Sequence, residues 1–451
     1  MNLRRNGETH GHETETAALE AQLETQVARA LLYAGALGKW MLTSVIVGVL
    51  CGLLGTAFHL GVDYVTALRM QHRWLLYCLP LAGLGIVGLY HMFRVDGQST
   101  NSIIREVQTG NGLKIALIPA IFFSTLLTHL CGGSSGREGA ALQMGGTIGF
   151  EIGKLLRLDD RDRRTATMTG MAAFFSALFG TPMAATVFAM AVISVGLLYH
   201  VALIPCLVAS LTAYAISLLA GVTPTRFAVT APALEFVMLL KVSALAALSA
   251  WVSSLFCEVL HRTEHGMQKL LPKEWARILA GAALLIGLSA LFPSGDYNGA
   301  GGEVIRRAVE DGSAAPTAFL LKILFTCITL AAGFKGGEVV PSFFIGATFG
   351  CAVGPLLGIP AGFAASVGLI AVFCGAVNCP LASTFLAVEL FGADGLLYYA
   401  LACALSYVLS GYDGLYSSQR ILYDKLKAQY IDVHTNAHHE GQHTPMEEKY
   451  R

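Results

Sequence analysis

Gly132-Gly133-Ser134-Ser135-Gly136-Arg137-Glu138-Gly139 runs directly into Ala140-Ala141-Leu142-Gln143-Met144-Gly145-Gly146-Thr147-Ile148-Gly149. Four glycines and two serines read as a loop, and the small and apolar residues after them read as a helix. The spacing predicts a helix N-terminus near Glu138. Ile115 to Gly136 carries no Asp, Glu, Lys or Arg, so this start lies deep in apolar sequence. Free first-turn N–H groups and the positive end of the helix dipole make such a terminus an anion site. An Arg-Glu pair at that depth is costly and points to function.

The flanking sequence is that of a membrane protein. Trp40 to Val62 is uncharged, Thr165 to Thr225 is 61 residues without a full charge, and Val339 to Val388 is another 50. One crossing takes about 20 apolar residues, so each long block holds two or three. Further apolar stretches lie near 74–93, 232–257, 278–293, 316–333 and 395–411. Charged residues make up 13% of the chain, which excludes an ordinary cytosolic enzyme and a disordered chain. Lys and Arg number 30, as do Asp and Glu, so no basic excess exists to hold nucleic acid. In lipid every backbone group must be satisfied internally. The expected fold class is therefore an all-α integral membrane protein, a bundle of many tilted and broken helices.

Three segments are expected: a polar tail with an amphipathic helix at 1–35, a membrane domain at 36–425, and a polar tail at 426–451. Ala17 to Ala36 places Leu19, Leu23, Val27, Ala30 and Leu31 on one helical face. No apolar run follows the basic start, so no cleaved signal peptide is expected. The tail histidines His434, His438, His439 and His443 read as solvated rather than as a metal site. Ten scattered cysteines, with only Cys374 and Cys379 close together, read as packing residues. No metal and no cofactor are expected. The segment Lys154 to Arg164, richer in Arg and Lys than in Asp, is expected to face the cytoplasm.

A second stretch repeats the first. Gly337-Glu338-Val339-Val340-Pro341-Ser342-Phe343-Phe344-Ile345-Gly346-Ala347-Thr348-Phe349-Gly350 parallels residues 136–149. Phe179-Gly180-Thr181-Pro182 is likewise echoed by Val377-Asn378-Cys379-Pro380. The membrane domain thus divides into repeats at roughly 36–225 and 226–425, and repeated halves with broken helices are a transporter architecture. Around Gly333-Phe334-Lys335-Gly336-Gly337, glycines end one helix and Pro341 suits the first turn of the next. The N–H groups of Glu338, Val339 and Val340 are then free to face an anion. A rival reading takes Gly132-Ser134-Gly136 as a nucleophile elbow, with His59, His129 or His200 activating Ser134. No strand precedes it, and the chain is not expected to be an enzyme.

Taken with a late Tyr416 in Gly414-Leu415-Tyr416-Ser417-Ser418, these motifs resemble the CLC family of chloride channels and anion/proton antiporters over about residues 40–425. The resemblance implies a homodimer of inverted-repeat subunits in the inner or plasma membrane, both termini cytoplasmic. It implies transport of chloride or a related halide, coupled to protons. Glu138 matches the gating glutamate, flanked by Gly136, Arg137 and Gly139. The backbone of Gly337, Glu338, Val339 and Val340 matches the second anion-binding helix end, and Tyr416 the central hydroxyl. Gly97-Gln98-Ser99-Thr100-Asn101-Ser102 stands where the first family motif belongs, with Ser99 chosen as its hydroxyl and Thr100 next.

Departures from the family pattern matter. Ala140 replaces a proline, and Val339 a phenylalanine. The inner glutamate of proton-coupled members falls near Val192. Gly336-Gly337-Glu338-Val339 with Pro341 is closer to the fluoride-exporting branch, which lacks that glutamate but has a methionine where Ser99 is placed. Ser99 pulls toward chloride and Val339 toward fluoride; the direct ligand weighs more, so chloride is expected, with fluoride/proton antiport and a passive channel as alternatives. Charged Glu138 occupies the path as a tethered anion, and protonated it swings away. Arg137 is expected to pair with an acidic residue such as Glu106.

Overall fold

The computed structural model describes residues 5–110, 112–427 and 429–436, with side chains from Thr25 onward. The described residues form sixteen α-helices, three short 3-10 helices and a small sheet, joined by irregular connections. The first half comprises α1 (Arg5–Gln71), α2 (Leu79–Met92), α3 (Thr100–Thr109), α4 (Leu117–Leu130), α5 (Glu138–Leu155), α6 (Asp160–Phe179), α7 (Pro182–Ala191) and α8 (Leu203–Leu219). The second comprises α9 (Phe236–Leu270), α10 (Glu274–Leu291), α11 (Gly302–Glu310), α12 (Ala318–Ala332), α13 (Val339–Val353), α14 (Ala361–Val377), α15 (Pro380–Phe391) and α16 (Leu396–Leu409). Strands β1 (Ser194–Val195), β2 (Arg420–Tyr423) and β3 (Tyr430–His434) form a sheet in that order, parallel then antiparallel.

The halves pack by the same rules. α5 lies on α6 as α13 lies on α14; α1 touches α4, α6 and α8 as α9 touches α12, α14 and α16. Close approach of backbones explains the repeated glycines. Gly145 and Gly149 meet the backbones of Gly170 and Ala166, and Gly346 and Gly350 meet those of Gly368 and Ala364. A side chain at any of the four would strike a carbonyl, which is how small residues let helices associate without a hydrophobic drive in lipid. Six helical segments are long and apolar enough to cross a bilayer, while α4, α7, α12, α14, α15 and α16 run only 10–17 residues. Short pieces like these suit a bundle in which helices end inside the protein. The halves join through the irregular segment 222–235.

Two expectations shift at the ends. α1 continues without a break into the first crossing, so no boundary falls at residue 35. Val27 and Leu31 of its anticipated packing face are 53% and 69% exposed, and Leu19 and Leu23 lie outside the described side chains. The polar tail begins later than residue 426, because β3 completes the sheet and Thr435 and Asn436 are buried. A chain reading polar in composition still pairs its backbone when β2 offers an edge. His434 closes β3, whereas His438, His439 and His443 lie outside the described residues. All ten cysteines are unpaired.

Candidate functional site

The two glycine loops meet in the centre of the bundle. Gly136 N–H donates to Gly337 O at 2.7 Å and Gly337 N–H to Gly136 O at 2.9 Å, an isolated antiparallel bridge. Such an exchange is itself two-fold symmetric, so the bridge lies where the repeats face each other. α5 begins two residues after its glycine and α13 two residues after the other, bringing two helix N-termini together. Each brings roughly half a positive charge. Neither glycine has room for a Cβ: one on Gly139 would stand 2.5 Å from Gly336 O, and one on Gly337 2.5 Å from Gly139 N.

Glu138, the first residue of α5, is fully buried. Its Oε2 accepts a hydrogen bond from Val340 N–H, 3.2 Å away in the first turn of α13. Oε1 has no partner among the described residues. The carboxylate therefore sits where a free anion would bind the α13 terminus. Two further buried polar atoms stand nearby without partners, Tyr416 Oη and Glu338 Oε2. Tyr416 is within electrostatic reach of both Glu138 and Glu338. Its backbone is pinned from below, where its carbonyl accepts Thr435 Oγ1 at 2.6 Å.

The remaining candidates divide. Thr100 is buried, donating to Gly139 O at 3.5 Å and accepting from Gln143 Nε2 at 3.4 Å, so it touches the start of α5. Ser99 does not. It is the half-buried N-cap of α3, in a capping box with Ser102, a use of serine that competes with any ligand role. Arg137 pairs with Asp63 at 3.3 Å rather than with Glu106, and lies over the Phe179 ring. Glu106 instead accepts Gly112 N–H. The hydrolase reading also fails on geometry. Ser134 Oγ bonds Thr326 Oγ1 at 3.0 Å, while His129 meets Gly136 O and His59 meets Asp63.

Three supporting residues escaped the sequence. Lys322 is fully buried, donating to Gly299 O at 2.6 Å and Tyr297 O at 3.3 Å. That loop in turn braces the first glycine loop, through Gly299 N–H to Gly133 O at 3.1 Å and Asn298 Nδ2 to Gly132 O at 3.0 Å. Gln419 Nε2 ties together the C-terminal ends of α7 and α14, donating to Val192 O at 2.9 Å and Val377 O at 3.0 Å. Glu389 of α15 caps α7, accepting Met183 and Ala184 N–H at 2.9 Å each. A lone lysine in the apolar run 316–333 was the one available signal.

Known proteins resemble this chain over most of its length. The voltage gated chloride channel family model matches residues 82–411, which include both glycine loops. A chloride/fluoride channel protein of Pseudomonas syringae pv. tomato is 34% identical over 403 residues, covering 86% of this chain and 88% of that protein. The H(+)/Cl(-) exchange transporter ClcA of Yersinia pestis bv. Antiqua is 26% identical over 387 residues, 78% of this chain and 80% of that protein. A CLC-type fluoride/proton antiporter of known crystal structure superposes with a TM-score of 0.82 at 33% identity, over 85% of this chain and 98% of that one. The protein is a multi-pass membrane protein, and it belongs to the voltage-gated chloride channel family.

Proposed function

We propose that the protein exchanges a halide, chloride or fluoride, for protons, and that Glu138 is the group both compete for. The observation that carries this is the bond from Val340 N–H to Glu138 Oε2 at 3.2 Å, a carboxylate seated on a helix end. Ionised, Glu138 fills the site. Protonated, it loses the charge that the helix end favours, and a halide replaces it. The halide then finds backbone N–H groups of Glu338 through Val340, those of Arg137 and Gly139 beside the Gly136–Gly337 bridge, and the unpartnered hydroxyl of Tyr416. Weak contacts with neutral donors let the ion leave again.

Protons reach Glu138 without a carboxylate at Val192. Glu338 is the acidic group within electrostatic reach of Glu138, and its Oε2 is free. Relatives whose names include fluoride support that ion as well as chloride. The name of the Pseudomonas syringae relative, a chloride/fluoride channel protein, favours a passive channel, and proton movement separates the two readings.

The protein is further proposed to work as a homodimer in a lipid bilayer. Lys39 pairs with Asp162 of the basic loop, and Gln108 bonds both Arg164, through its carbonyl at 3.2 Å, and Ser418 O at 2.9 Å. The middle of α1 at Lys39, the basic loop and the segment leading into the C-terminal sheet thus share one face. The positive-inside rule assigns that face, with both termini, to the cytoplasm of an inner or plasma membrane. Chloride and fluoride efflux from proteoliposomes, with pH recorded, tests the proposal. Proton movement against the halide gradient supports it; halide flux with no protons contradicts it.

A further inference from the structure

Val192, at the family's inner glutamate position, is fully buried and has its carbonyl occupied by Gln419. The opposite flank of the site is open. A cleft of about 40 Å³, enough for water, lies between α2, α10 and the loop leading into α13, lined by Val87, Tyr90, Asp96, Glu274, Arg277 and Lys335. Glu264 of α9, within electrostatic reach of Lys335, stands one turn beyond His261, whose Nε2 lies 2.9 Å from Gly414 O beside the C-terminal sheet.

The lining calls for water. Tyr90 is 3% exposed, and its Oη and Arg277 Nε are buried with no hydrogen-bond partner. Polar groups left unmet in a cavity of this size are met by water. Lys335 Nζ lies 4.2 Å from the Tyr90 ring centroid, and its backbone N–H is fixed to Thr128 Oγ1 at 3.2 Å. Three residues further along stands Glu338. The charged groups around Lys335 are Asp96, Glu264, Glu274 and Arg277; those around Glu338 are Glu138 and Glu264, with Tyr416 alongside. Glu264 is common to both sets.

We propose that this cleft is the proton entrance from the sheet-bearing face, with Lys335 standing between its water and Glu338. The proposal rests on the reading that halide movement is coupled to protons through Glu138. Water in the cleft exchanges protons with Asp96 and Glu274, which line it. A proton passes along that water past Lys335 to the Glu338 carboxylate, an O–H bond breaking on hydronium as one forms on Glu338. The same proton then moves to Glu138, whose carboxylate releases Val340 N–H. The lysine ammonium repels metal cations by its charge, while a proton passes by exchange rather than by transit of an ion.

The test is the number of protons moved per fluoride in proteoliposomes of the full chain, read by pH and fluoride electrodes. That ratio does not depend on how much protein folds. Lys335→Met and Val87→Trp, the second filling the cleft without touching a charge, are expected to lose most proton movement while fluoride flux persists. A wild-type ratio in both variants would overturn the cleft assignment and leave coupling through Glu138 standing. A wild-type protein that moves fluoride but no protons would overturn coupling itself, and the entrance with it.

Discussion

The two glycine loops are built alike and act differently. Both end in a carboxylate, but Glu138 stands two residues after its bridging glycine, as the first residue of α5, while Glu338 stands one residue after, as the N-cap of α13. One position of register sends the side chains to different places. Glu138 crosses the bridge and binds the opposite helix end, while Glu338 Oε2 meets no partner. A single-residue offset between two similar loops seats one carboxylate on the opposite helix end and leaves an oxygen of the other without a partner.

The largest effect expected from breaking this comparison is on the bridge. A Cβ on Gly337 meets Gly139 N at 2.5 Å and Glu138 N at 2.8 Å, both backbone atoms that cannot rotate away. Gly337→Ala should cost about 3 kcal/mol, the upper range for overpacking, and abolish transport. Wild-type thermal stability in detergent would mean the loops do not touch. Next comes the occupant itself. Glu138→Gln should end proton movement and remove the pH dependence of halide flux, which in wild type rises as acid neutralises the carboxylate. Coupling that survives would transfer the role to Glu338.

Smaller effects sharpen the picture. Tyr416→Phe removes one hydroxyl donor, worth about 1 kcal/mol or roughly fivefold in halide affinity; an unchanged affinity would take Tyr416 out of the site. Ser99→Ala should leave halide preference alone and cost about 1 kcal/mol of stability through its lost cap. A changed preference would restore Ser99 as a ligand. Asp63→Asn should cost under about 1 kcal/mol, because the Asp63 side chain is 58% exposed where it meets Arg137.

How far these outcomes were legible in the sequence depended on whether a signal was local. Glycines 136, 139 and 337 announce a helix start because only backbone fits there, and the charge-free runs announce the membrane. The register of the first motif was not local. Ser99 and Thr100 are adjacent, and choosing between them required knowing that Ser102 completes a capping box around Ser99. The partner of Arg137 was equally hidden, since Asp63 lies 74 residues upstream on α1. Lys322 looked like a stray charge in an apolar helix until its carbonyl partners at Tyr297 and Gly299 were in view. Composition also misled at the C-terminus, where a polar stretch forms β3 because an exposed strand edge awaits it.

The central claim is that the Glu138 carboxylate and a halide compete for the N-terminus of α13. Calorimetric titration of fluoride and chloride into wild type and Glu138→Gln at neutral pH tests it most directly. Removing the tethered charge while keeping its shape should tighten halide binding, because the Val340 N–H group no longer has an ionised occupant to displace. Equal affinity in the two proteins, or weaker binding in the variant, would contradict the account.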